Sequence, residues 1–267
     1  MIPMIPTLFT DPSETGLSEQ LNDLFGDGSL TIMELPRLTN PTGGQTHWSF
    51  TLPTEEQPTI TAQLEGVIIG AYRQRGWWPS LYTGNNDAPS CASMDMINGY
   101  GDPATTGFPT NHRACATCPM NQMGTRDNGN GKACKESQVL LMVLGNQQYP
   151  VQVKVPTTSL ANVSDYWRTL KLARRRPEQQ LTIVRLVKRG SYAVMTFAKG
   201  PDLPDQAQTL AAQYAAYMKP LVAAEQAAWT TARCVAPLAR KLEDQPEVPF
   251  PASTPTPVPT LPEDDQW

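Results

Sequence analysis

Apolar positions recur at more than one period along this chain, and the switches between periods mark its elements. Residues 139–144 (Val-Leu-Leu-Met-Val-Leu) form an unbroken apolar run, whereas Val151, Val153 and Val155 alternate with Gln152 and Lys154. Joined through the turn Gly145-Asn146, the two segments read as a β-hairpin with the valines on one face and Gln152 and Lys154 on the other. Pro156 closes it. From Leu160 the period becomes helical: Leu160, Val163, Trp167 and Leu170 predict an amphipathic helix over 158–173 that ends in Arg174-Arg175-Arg176-Pro177. A second hairpin follows, 181–187 and 192–198 about a basic tip. Upstream, the β-branched segment 59–72 reads as a strand, and 30–35 and 46–52 flank Asn40-Pro-Thr-Gly-Gly44 as a hairpin-like pair. Downstream, Leu210, Tyr214, Tyr217, Met218, Leu221 and Val222 fall on one helical stripe within 204–242, one helix or two with Pro220 and Pro237 as breaks or kinks.

Five or six antiparallel strands with a helix before the last pair predict a mainly β fold with flanking helices. The architecture expected is an oligonucleotide-binding (OB-like) Greek-key barrel, with an α+β sandwich as the alternative. On this reading residues 1–28 are an N-terminal arm, 29–200 a nucleic-acid-binding domain with an insertion at 91–134, and 201–244 a C-terminal helical segment. Residues 245–267 form a disordered tail. The 26 prolines are too many for one compact fold, and seven of them fall between 246 and 262 in a segment with little to bury.

The insertion holds four of the five cysteines, Cys91, Cys115, Cys118 and Cys134, spaced C-x23-C-x2-C-x15-C. The x2 pair lets two thiolates reach one ion from a single turn, and the last spacing suits a zinc ribbon, so a structural Zn2+ held by these four is the expected cofactor. Glycines and prolines between the anchors leave no apolar core of the insertion's own, and a metal would staple it. His112, three residues before Cys115, is an alternative ligand in place of Cys91. A redox pair would open a helix in a βαβ unit, but Cys118-Pro119 leads into turn residues. A zinc deaminase needs a catalytic carboxylate that Cys91-Ala-Ser lacks. Cys234, far from the others, reads as a buried thiol. With two histidines and no H-E-x-x-H, phosphate-cradling loop or nucleophile elbow, the chain does not read as an enzyme.

Charge refines the picture. The net charge is −4, but between residues 61 and 200 basic side chains outnumber acidic ones two to one, while both flanks are acidic. A basic body between acidic ends marks a polyanion-binding surface. Its candidate residues are Arg73, Arg75, Trp77, Trp78, Lys154, Arg168, Lys171, Arg174, Arg175, Arg176, Lys188 and Arg189, cations for phosphates interleaved with aromatics for bases. Two other readings stay open: the tryptophan pair packing under the cysteine loop, and the arginine run capping its helix dipole. No basic leader with an apolar core opens the chain and no stretch of about 18 apolar residues occurs, so a soluble, cytoplasmic protein with no membrane association is expected.

The end of the chain, a Pro-rich tether finishing in Glu263, Asp264, Asp265 and Trp267, resembles the tail of bacterial and phage single-stranded DNA-binding proteins. The resemblance implies that these four residues dock on replication or recombination proteins and compete with DNA for its groove. Gln266 interrupts the acidic tip. The cysteine set is similar, more loosely, to the zinc module of T-even phage helix-destabilising proteins, which use one histidine and three cysteines at other spacings. Cys118-Pro-Met-Asn121 with Gly131-Lys-Ala-Cys134-Lys135 also looks like a motif of uncharacterised phage proteins. Together these imply a phage-encoded single-stranded DNA-binding protein of replication or recombination, acting in the host cytoplasm, with homo-oligomerisation left open. The alternatives are a recombination mediator or annealing protein and a zinc-bearing transcription or replication adaptor.

Overall fold

The computed structural model describes residues 31–51, 57–79, 89–108, 110–126, 130–145, 147 and 149–229, together with Pro6, Phe9 and Asp23. The tail residues Glu263, Asp264, Asp265 and Trp267, most of the arm 1–28, Cys234 and Pro237 lie outside the described residues.

Among the described residues, eleven strands and three helices follow in the order β1 (Arg37–Leu38), β2 (Trp48–Phe50), β3 (Thr59–Thr61), β4 (Gln63–Trp77), β5 (Cys91–Ser93), β6 (Asn98–Gly101), the single turn α1 (Pro103–Thr106), β7 (His112–Ala114), β8 (Lys135–Leu144), β9 (Val151–Val155), α2 (Leu160–Leu172), β10 (Gln180–Arg189), β11 (Tyr192–Asp202) and α3 (Asp205–Ala227). Nine strands make one mixed sheet, and β2 pairs with β3 apart from it. β4 is its axis. One edge of β4 pairs along its length with β8, which leads to β9 and to the parallel β1. The other edge is divided: residues 63–66 pair with β10, and residues 75–77 pair with β5. The first branch continues to β11 and the second to β6 and β7, so the sheet forks.

A helix covers each face. Val67, Ile69, Tyr72, Val139, Leu141 and Val143 pack with Leu210, Ala211, Tyr214 and Met218 of α3. Leu64, Ile68, Leu140, Met142 and the three valines of β9 pack with Val163, Tyr166 and Leu170 of α2 on the opposite face. The unbroken run 139–144 thus supplies alternate residues to two cores. Among the described residues the mainly β fold with flanking helices is present, but the sheet does not close into the expected Greek-key barrel. Strands apolar on both faces need a layer on both, and α2 and α3 provide them.

Other expectations shift locally. Residues 30–35 were expected as a strand, but Ile32–Glu34 is a 3-10 turn in which the Glu34 carboxylate accepts from the Thr31 N–H and hydroxyl at 2.9 and 3.0 Å. Asn40-Pro-Thr-Gly-Gly44 consequently joins no hairpin: β1 pairs with β9, and β2 with β3. Gln152 does face away from the valines of β9, into the core beneath α3. Fully buried, its amide donates to Ile32 O and Leu35 O at 2.9 and 3.0 Å and accepts from the Tyr72 hydroxyl at 2.9 Å. Burial, partly offset by the nearby Arg37, pushes the Tyr72 hydroxyl up to about 12, so it stays a donor at any working pH. The stripe foreseen on 204–242 packs as one helix through Pro220. No helix among the described residues is long and apolar enough to cross a membrane.

Gln152 therefore pins the 31–36 segment onto the sheet. Gln152→Leu keeps the volume but strands two carbonyls and a hydroxyl, and unfolding in urea should show a loss of roughly 1–3 kcal/mol.

Candidate metal centre and nucleic-acid interface

The insertion is an extension of the sheet rather than a separate ribbon. β5, β6 and β7 form a meander off the end of β4, in register Trp77↔Cys91↔Gly101 and Gly76↔Ala92↔Tyr100. Its tight approaches depend on glycine. A Cβ at Gly101 would lie 2.1 Å from Ser90 O, and one at Gly99 would lie 2.9 Å from Cys91 Sγ and 3.6 Å from Cys115 Sγ, so these two sulfurs flank one point above β6. Asp95 holds the β5–β6 turn: its Oδ1 accepts from the Ile97 and Asn98 N–H groups at 2.8 Å and from Ser93 Oγ at 3.0 Å. Burial alone would raise the Asp95 carboxyl; these bonds outweigh it and hold the group below its ordinary range. Beyond β7, the Cys115 N–H donates to Ile97 O at 2.7 Å and the Cys134 N–H to Met120 O at 2.8 Å. Asn121 ties the ends of the loop together, donating to Cys115 O at 2.7 Å and accepting from Lys132 Nζ at 3.2 Å.

This framework brings all four cysteines, as thiols, to the wall of one cavity of about 20 Å³, with Arg75, Trp77, Phe108 and Arg113. Cys115 and Cys118 are buried, and Cys91 and Cys134 partly so. His112 is not among the lining residues; its ring lies 5.8 Å from that of Tyr100. Among the described residues no group of three or more His, Cys, Asp or Glu side chains is arranged to hold a metal ion outright, so the thiols ring the cavity without closing on its centre. The four neutral thiols nevertheless share the wall of one cavity. Burial raises both Cys115 and Cys134, the latter to about 11; Ser93 and Arg75 pull Cys115 back, and Cys115 itself pushes Cys134 further up. A metal would reverse this by displacing the protons.

Between the cavity and α2 lies a partly exposed strip of sheet surface on the α2 side. Its floor is the cross-strand pairs Arg73↔Gln138 and Arg75↔Glu136. Glu136 serves both guanidiniums, pairing with Arg73 and, at 3.5 Å, with Arg75. At the α2 end Trp167 donates its indole N–H to Gln138 Oε1 at 3.3 Å. One helical turn on from Trp167 comes Lys171, and after the helix Arg174, both exposed. At the cavity end Arg113 lies 4.5 Å over the Phe108 ring, which stacks on Trp77 at 5.8 Å.

The expected nucleic-acid residues are thus scattered. Arg73 and Arg75 lie on the strip. Trp77 is buried against Phe108, so it packs beside the cysteine cavity, and Trp78 packs against Gly76 with Lys154 Nζ 5.8 Å over its ring. Burial, aided by Arg37, lowers the Lys154 ammonium. Arg168, Arg175 and Arg176 pair with Asp165, Asp202 and Glu178 at 2.8, 2.8 and 3.1 Å, whereas Arg174 has no carboxylate partner among the described residues. Lys188 and Arg189 stand exposed on the β10–β11 tip, beyond the start of β4 and so at its opposite end from the strip. Phe108, Arg113 and Trp167 were not foreseen as site residues. Phe108 is embedded in a Gly/Pro-rich stretch with no periodicity, and Trp167 had been counted only as an apolar stripe position.

The fold and site define a helix-flanked mixed β-sheet with a four-cysteine meander beside a cationic strip. No protein-family model matches the chain, and neither a curated protein nor a solved structure does.

Because the meander rests on close backbone approach at two glycines, their substitutions should differ. Gly101→Ala drives a Cβ into the Ser90 carbonyl and should lower the melting temperature and unpair β5 from β6 by amide hydrogen exchange. Gly99→Ala meets the movable Cys91 side chain and should leave the fold intact while weakening metal uptake, read as zinc per chain.

Proposed function

We propose that the chain binds single-stranded nucleic acid, in the first place single-stranded DNA, along the strip between α2 and the cysteine meander. A structural zinc ion would close the meander, with Cys91, Cys115, Cys118 and Cys134 as ligands, and the residues present suit it: four thiols and no carboxylate on the cavity wall. The acidic tail with Trp267 belongs to the same proposal, as a tether that docks replication or recombination partners. An OB-like barrel is not required, because an open sheet with aromatics at its margins and cations on its floor meets the same need for stacking surfaces and phosphate contacts.

The observation that carries this reading is the grouping about Trp167. A part-buried indole bonds to Gln138, the cross-strand neighbour of the 58% exposed Arg73, one helical turn before the exposed Lys171 and ahead of the exposed Arg174. Arg174 closes the helix at φ +53°, a conformation in which glycine is cheaper. Its neighbours Arg175 and Arg176 are largely neutralised by Asp202 and Glu178, so Arg174 rather than the whole arginine run is the available phosphate contact.

Arg174→Gly removes a charge while relieving about 1 kcal/mol of left-handed strain. The variant should therefore be at least as stable as the parent yet bind oligonucleotides more weakly, with the slope of log K against log salt reduced by roughly 0.7. Arg73→Ala should do the same to the slope. Trp167→Ala should cost about 1–3 kcal/mol of binding with little change in slope. Tryptophan-fluorescence titrations with single-stranded oligonucleotides and a duplex at two salt concentrations read all three, using anisotropy of a labelled oligonucleotide for Trp167→Ala. Affinities unchanged in every variant would place nucleic acid elsewhere or favour the adaptor alternative.

A further inference from the structure

The cysteine cavity contains one group that the fold leaves unexplained. Arg75 comes off β4 onto the cavity wall, its side chain only 15% exposed. Its Nε–H is buried and finds no acceptor among the described residues. A single Nη contact to Glu136 at 3.5 Å, on a carboxylate already engaged by Arg73, is a poor return for burying a guanidinium. The other cations near the cavity are occupied: Arg113 lies over Phe108, and Lys132 is bonded to Asn121.

Four thiolates about one divalent ion carry two net negative charges, and in a small buried cavity that charge needs a counterion and hydrogen-bond donors to sulfur. Arg75 offers both. We propose that Arg75 is the outer cation of the metal centre, donating its buried, unpartnered Nε–H to the cysteine thiolates whose cavity wall it shares. This rests on the zinc reading above. It adds a positioning residue outside the cysteine motif, on the central strand of the sheet. It also makes Glu136 a competitor, because the carboxylate holds the guanidinium back from the sulfurs. Glu136 touches the nucleic-acid strip as well, so the centre and the strip share one electrostatic network.

The test uses the full chain purified under reducing conditions without chelator, with zinc counted per chain and its affinity measured by competition with a chromophoric chelator. The parent should hold one zinc per chain. Arg75→Met should load the same single zinc at saturation but bind it about 10–100-fold more weakly. Arg75→Lys, which keeps the charge but not the Nε–H donor, should fall between them. Glu136→Gln should bind zinc more tightly than the parent, a gain that a merely structural role for Arg75 would not produce. Parent-like affinity in Arg75→Met overturns the assignment. Should that variant not fold, Glu136→Gln decides, and affinity equal to or below the parent's overturns it. A parent chain without zinc would instead overturn the zinc reading, and this inference with it.

Discussion

A fifteen-residue strand must satisfy a long row of backbone donors and acceptors on each edge, and the molecule is arranged around how β4 does so. β8 takes one edge. No single strand takes the other, which is shared between β10 at residues 63–66 and β5 at residues 75–77. Both forks pass through a glycine: a Cβ at Gly66 would lie 2.5 Å from Val143 O, and one at Gly76 would lie 2.8 Å from the Trp78 ring. The fork sets the hairpin that carries α2 on one branch and the cysteine meander on the other. The strip with Arg73, Glu136 and Gln138 is the sheet surface left between them.

That arrangement explains which electrostatic features matter. Arginines 168, 175 and 176 have carboxylates close by, and such exposed pairs are worth little to stability, but they lower the local excess of positive charge. On the strip two guanidiniums share one carboxylate, which leaves a surplus cation beside a cavity lined by four thiols. A metal at the cavity would add negative charge at that end, and Arg75 stands between it and the strip. On the proposed reading, metal loading and polyanion binding would be coupled through the same few side chains.

Much of the scaffold was legible in the sequence because it follows simple periods. The hairpins 139–155 and 181–198 and the helix after Pro156 stand where alternation and helical spacing place them, since those patterns face a core directly. The barrel was not correct, although the contrary signal was present: Val139–Leu144 has no polar face, and a strand apolar on both sides calls for a layer on each. The fate of 30–35 depended on the local capping box Thr31-x-x-Glu34, a signal that the sequence does carry, and on the buried amide of Gln152, a long-range partner that local propensity does not encode. For the site, the spacing of the cysteines pointed to a shared centre, and all four line one cavity. Trp77 and Phe108 stack across 31 residues of chain, a contact that no local pattern contains.

We propose that the four-cysteine meander is a metal centre built onto the end of β4. X-ray absorption at the zinc edge on the purified full chain addresses it most directly, because scattering distances identify the ligand atoms. The expected result is one zinc with four sulfur neighbours at about 2.3 Å and no nitrogen shell. A mixed sulfur and nitrogen shell, with a distance of about 2.0–2.1 Å, would bring in a histidine and contradict the all-cysteine centre, as would protein that takes up no zinc with all four thiols reduced.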